Sequence, residues 1–307
     1  MPKDLELRKM VPEATNLDTN TFLKTPSKSK GESIRDYFFH NHPEYTTGDT
    51  GDVSCDSYHK YQEDVQMLRA LKANVYRFLI SWARVLPTGD LDVINQGGID
   101  YYNNLINELL ANGIQPLVTM YHWDLPQALQ YIGGWSNGLL VDYFVEYART
   151  LFENFGDRVK WWIKINAPAG LVNGYAVNEV APSQPASGIG DYLATHTAIK
   201  AHARVWHQYD EQTEPRRTGY LGAVLEAIYT DGVPVIGHLA WSLMDTLEWN
   251  AGFTAKYGLY EVDFNSPNRT RTPKDSAVFM AEVLLLITRL IAASNGRQVT
   301  RGNWLKM

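Results

Sequence analysis

The chain has 307 residues, 45% hydrophobic and 20% charged, the balance of a folded globule of one large or two small domains rather than a disordered polymer. Its net charge is −6 and its basic residues are scattered apart from Lys24, Lys28 and Lys30, which excludes the electrostatic footprint of a nucleic-acid partner. Cys55 is the only cysteine, so neither an intramolecular disulfide nor a cysteine-based metal site can form.

Residues 1–29 are rich in Lys, Thr, Asp, Asn and Pro without sustained periodicity, and the segment is expected to be variable and disordered; residues up to 57 read as mostly loop. From Tyr58 the pattern changes. Tyr61, Val65, Leu68 and Leu71 fall at helical spacing, and the β-favouring run 74–81 follows. The unit then recurs, with Tyr102, Leu105, Ile106, Leu109 and Leu110 on one helical face, Gly113 placed to end it, and the apolar strand 114–121. A third helix carries Leu140, Phe144, Tyr147, Leu151 and Phe155, stops at Gly156 and leads to the strand 159–165.

Further helices are expected over 192–209 and 220–228, then a strand over 233–241. A last helix runs from about Asp275 to Ala293, with Val278, Phe279, Val283, Leu286, Ile287 and Leu290 facing inward, and 294–307 reads as a tail. Apolar strands alternating with amphipathic helices imply a parallel sheet covered by helices, with function collected at the carboxyl ends of the strands. The start of the chain lacks the apolar core of a secretory signal, and the stretch 281–293 is interrupted by Glu282 and Arg289 and is too short to span a bilayer. The expectation is therefore an intracellular location with no membrane partner.

Four strand ends hold the polar and aromatic residues that suit a sugar, which presents apolar faces rimmed by hydroxyls. They are Arg77 with Ser81 and Trp82; His122, Trp123 and Asp124; Asn166; and Trp241, with Glu248 and Trp249 in the loop beyond. On residues alone, a set of buried aromatics capping a core fits equally well. The histidines show no metal-ligand spacing, since His196 and His202 are six apart on one helix and His238 stands alone. No metal and no cofactor is expected.

The segments YRFLISW (76–82), YHWDLP (121–126), FGDRVK (155–160) and WSLMDTLEW (241–249) closely resemble glycoside hydrolase family 1, the β-glucosidase family, and the resemblance runs from about Lys30 to Ala281. It implies a (β/α)8 barrel with Arg77, His122, Asn166, Trp241, Glu248 and Trp249 as sugar-binding residues, and Arg77 beside the position of the nucleophile. It is broken in three places. The family's Asn-Glu-Pro, whose Glu is the general acid/base, reads Asn166-Ala167-Pro168 here. Upstream of Lys30 the family's first strand and its Tyr-Gln-Ile-Glu-Gly segment have no visible counterpart. Near 210–219 the chain passes from what resembles the helix after strand four to the helix before strand eight, omitting three strands and the Ile-Thr-Glu-Asn-Gly motif of the nucleophile.

The expected fold is therefore an α/β, incomplete TIM-barrel-like domain over 30–293, retaining about four of eight parallel strands. Retaining hydrolysis needs two carboxyl groups about 5 Å apart, and Ala167 supplies none. The resemblance with these gaps implies a β-glycosidase-family pseudoenzyme that retains a sugar ligand, and exposed sheet edges add a homodimer as a further partner. Two other readings stay open: an active β-glucosidase using an unorthodox acid such as Glu179, and an interaction protein without sugar affinity. Asp124 and Asp245 read as structural carboxylates at turns. The family's animal members are typically secreted, which leaves the compartment unsettled.

Overall fold

The computed structural model describes residues 11–13, 30–212 and 239–294. The expected helix 220–228, residues 233–238 of the last strand, the 213–219 part of the junction and the tail from 295 lie outside these residues.

The centre is a parallel sheet of five strands: β1 (Val11–Glu13), β2 (Val75–Leu79), β3 (Gln115–Tyr121), β4 (Trp161–Ile165) and β5 (Leu239–Trp241), in the order β4-β3-β2-β1-β5. Strands two to five sit where hydrophobic runs predicted them. Beside the about four expected stands β1, which corrects the expectation of no strand upstream of Lys30 and pairs Glu13 with Arg77 on one side and Val11, Pro12 and Glu13 with Leu239, Ala240 and Trp241 on the other. Three residues are too few to show a period of two, so tertiary pairing alone defines this strand. Chain-order neighbours pair from β1 to β4, and the last strand closes on the first. That is the seam of a barrel, realised here as an incomplete arc.

Helices cover one face. Between the strands run α1 (Ile34–Asn41), α2 (Ser57–Ala70), the short α3 (Trp82–Val85), α4 (Gln96–Ala111), α5 (Gln127–Tyr131), α6 (Leu140–Phe155), α7 (Pro168–Asn173) and α8 (Gly190–Gln212). The predicted faces of α2, α4 and α6 are the packed ones, with Val65, Leu68, Leu105, Ile106, Leu109, Phe144, Tyr147, Leu151 and Phe155 all buried. Gly113 ends α4 in the left-handed conformation, at φ +74°. α1 is a helix within the stretch up to 57 that reads as mostly loop: Ser33 accepts from the Asp36 N–H while Asp36 accepts from the Ser33 N–H, a reciprocal cap with the pattern Ser-x-x-Asp.

A two-stranded antiparallel ribbon, β6 (Tyr260–Val262) and β7 (Arg271–Pro273), precedes α9 (Asp275–Ser294). The predicted inward face of α9 is wrong at its start: Val278 and Phe279 are 56% and 66% exposed, whereas Ala277 and Leu284 are buried. A helix apolar on every side gives periodicity nothing to choose between. The side chains of Leu286, Ile287 and Leu290 lie outside the described residues. No described helix is long and apolar enough to cross a membrane.

Candidate functional site

All six predicted sugar-binding residues meet at the carboxyl end of the sheet. Arg77 leaves β2 and donates through Nε to Thr119 Oγ1 (2.9 Å) and through Nη2 to Asn166 Oδ1 (2.5 Å). Asn166, just past β4, turns its Nδ2 to His122 Nε2 at 2.7 Å. On the far side, Trp241 Nε1 donates to Glu248 Oε1 at 3.0 Å. The His122 ring joins the two groups, with centroids 6.4 Å from Trp241 and 5.3 Å from Trp249.

The protonation states follow from this packing. Burial beside Arg77 and Arg35 holds His122 well below its usual value, so the ring is neutral. With Nε2 accepting from the Asn166 amide, the proton belongs on Nδ1, which is buried without a hydrogen-bond partner among the described residues. Burial lowers Arg77 to about 10, still cationic, and raises Glu248 against the opposing bond from Trp241. Asp124 accepts the His122 backbone N–H at 3.3 Å, and its desolvated carboxyl is pushed up to about 6. Asp245 accepts the Gly258 N–H at 3.0 Å and an ammonium hydrogen from Lys274 at 2.7 Å. Both aspartates thus bind loop backbone, as residues of their type at turns do.

Ala167 stands at the strand end with φ +31° and opens α7. Its methyl group carries no acid, and Trp123 Nε1 donates to the carbonyls of Asn166 (3.0 Å) and Ala167 (3.2 Å). Trp123 and Trp249 share this left-handed region at φ +68° and +50°, so three of eight such non-glycine residues among those described crowd one site. Strain of that kind persists where surrounding structure holds it, and it concentrates at binding sites. Gly170 makes room for the arrangement, since a Cβ there would fall 2.0 Å from Trp123 Cζ2.

One residue read at a strand end lies elsewhere. Trp82 is wholly buried on the helical side, stacked on Tyr147 at 4.7 Å, with Nε1 donating to the Gly89 carbonyl. Glu179 is an exposed loop residue whose backbone carbonyl accepts from Asn250 Nδ2. Arg35 is the residue that periodicity could not reveal: its guanidinium carbon lies 4.3 Å from the Trp249 ring centroid and 5.6 Å from that of Trp123.

A parallel arc whose strand ends gather indoles, an imidazole, an amide and a carboxylate defines a protein of the (β/α)-barrel class. Residues 25–219 and 216–286 match the model of glycosyl hydrolase family 1, and the chain belongs to that family. It is 49% identical over 201 residues to myrosinase 1 of Brevicoryne brassicae, covering 65% of this chain and 43% of that protein. It is 44% identical over 204 residues to the cytosolic beta-glucosidase of Homo sapiens, covering 66% of this chain and 44% of that protein. The chain thus spans less than half the length of these curated relatives. An aphid myrosinase structure superposes with a TM-score of 0.81 at 28% identity, covering 93% of this chain and 99% of that one. A Thermotoga maritima β-glucosidase in complex with deoxynojirimycin gives a TM-score of 0.79 at 24% identity, again over 93% of this chain, a likeness of fold.

Proposed function

We propose that this family 1 chain is a β-glycosidase scaffold without catalysis that retains a sugar-binding pocket. One observation carries the reading: Arg77, Asn166 and His122 form a hydrogen-bonded chain beside the Trp241–Glu248 pair, and the position that would protonate the leaving oxygen is a methyl group. Asn166, Trp241 and Trp249 are half-buried and so present amide and indole faces to a ligand, while Arg77 and His122 are nearly covered behind them. A sugar hydroxyl arriving at Asn166 would exchange with internal bonds rather than fill vacant ones, which favours modest affinity. Without an acid/base, assistance worth ~10²–10⁴ in rate is lost.

The expected result is a cooperative thermal transition whose midpoint rises with glucose, since a ligand that binds only the folded state stabilises it, together with no sustained turnover of an aryl β-glucoside. Repeated turnover abolished by Asp124→Asn or Glu248→Gln would overturn the first half, and a sugar-insensitive melt the second. A second reading, hydrolysis by an unorthodox acid, draws on Asp124, whose carboxyl at about 6 has the poise of a general acid. Against it, that carboxyl is 4% exposed and holds the His122 backbone. Self-association through the outer edges of β4 and β5 belongs to the same proposal, because each has a sheet neighbour on one side only among the described residues.

A further inference from the structure

Arg35 is the second residue of α1 and is 2% exposed. A buried guanidinium is costly unless acceptors surround it. Its hydrogen bond among the described residues runs from Nε to the Trp123 carbonyl at 3.3 Å, and no carboxylate there comes within 4.0 Å. The field of Asp124 supports the cation from farther away. Asp124 itself turns one oxygen to the His122 N–H. The guanidinium plane is instead held by cation–π contact with Trp249 and Trp123, whose centroids are 4.8 Å apart and which both flank His122. No hydrogen bond from either Nη group is found among the described residues, and the guanidinium lies beside the indoles of the candidate site. Burial lowers Arg35 only to about 10, so it is a full cation at neutral pH.

We propose that Arg35 forms an oxyanion subsite, so that the pocket selects a glycoside bearing a phosphate, sulfate or carboxylate group. The proposal rests on the sugar-site reading for the glycoside and on Arg35 alone for the anion. A guanidinium packed against two indoles has lost part of its rotational freedom, and its paired N–H groups match two oxygens of one oxyanion. A neutral sugar would leave that fork unused.

The full chain and its Arg35→Gln and Arg35→Lys variants are titrated with glucose, glucuronic acid, glucose 6-phosphate and inorganic phosphate, reading Trp fluorescence and the thermal midpoint. The wild-type chain should bind at least one anionic sugar roughly tenfold or more tightly than glucose, the scale of one charge-assisted pair. Arg35→Gln should lose that preference, read as the ratio of anionic to neutral sugar affinity so that any change in the packing of Trp249 cancels, while Arg35→Lys keeps the charge without the fork and retains only part of it. Equal affinity for charged and neutral sugars, or a preference that survives in Arg35→Gln, overturns the subsite and leaves sugar binding intact. A phosphate-induced shift lost in Arg35→Gln, with no sugar bound by any form, supports the anion site and overturns the sugar pocket. Should Arg35→Gln not fold, an unreduced preference in Arg35→Lys overturns the proposal.

Discussion

Asp124 shows at the scale of one residue how the site's burial couples to stability. A solvated aspartate titrates near 3.8, whereas this one is pushed up to about 6 by desolvation. Between those values the folded chain holds a proton that the unfolded chain has released, so this residue's contribution declines as pH rises through 6. Asparagine carries no such charge. Asp124→Asn should therefore match the wild-type chain near pH 4 and exceed it by up to about 3 kcal/mol above pH 7, at 1.36 kcal/mol per pKa unit. Chemical denaturation across that pH range measures the difference, and a gap that is constant with pH would refute the assignment. The identity of all six proposed site residues was legible in short motifs. Arg35 was not, because nothing in its local sequence marks it as the neighbour of Trp123 and Trp249, 88 and 214 positions away.

Tyr147 plays the corresponding role for the elements. From α6 its hydroxyl reaches the Ile80 carbonyl at 2.6 Å and lies 3.0 Å from that of Met120, tying the helix to the ends of β2 and β3. Its ring stacks on Trp82 at 4.7 Å with planes 3° apart. Tyr147→Phe keeps the stack and removes the one hydrogen that the two buried carbonyls share, so stability should fall by about 1–3 kcal/mol. Denaturant titration tests this, and an unchanged midpoint would show that the hydroxyl is dispensable. Where helices carried a single apolar stripe, as in α4 and α6, the packed face was readable from spacing. On α9 it was not, since Phe279 and Ala277 are both apolar and only the neighbouring β7 decides which is covered.

At the scale of the whole molecule, the described strands form an arc with two outer edges. β4 and β5 end the sheet with all five residues of β4 and all three of β5 only half-buried. Nearby α8 exposes Tyr192, Ile199 and Leu193. Lys164, on the edge strand, is partly desolvated and held below the usual lysine range, and edge lysines oppose strand pairing. If the edges associate despite it, light scattering should give a mass that rises with concentration, and Lys164→Val should strengthen that rise. A monomer at every concentration, in both forms, would overturn self-association.

The sequence by itself determined the family and the parallel α/β class, because these reside in local hydrophobic runs and in motifs of a few contiguous residues. Only the tertiary structure decided that Val11–Glu13 forms the strand joining β2 to β5, that Trp82 belongs to the core, and that a buried arginine faces the indoles of the site. Each of those depends on which distant segments share a strand edge or exclude water from one another, and such information is held by the packed chain as a whole rather than by any window of it.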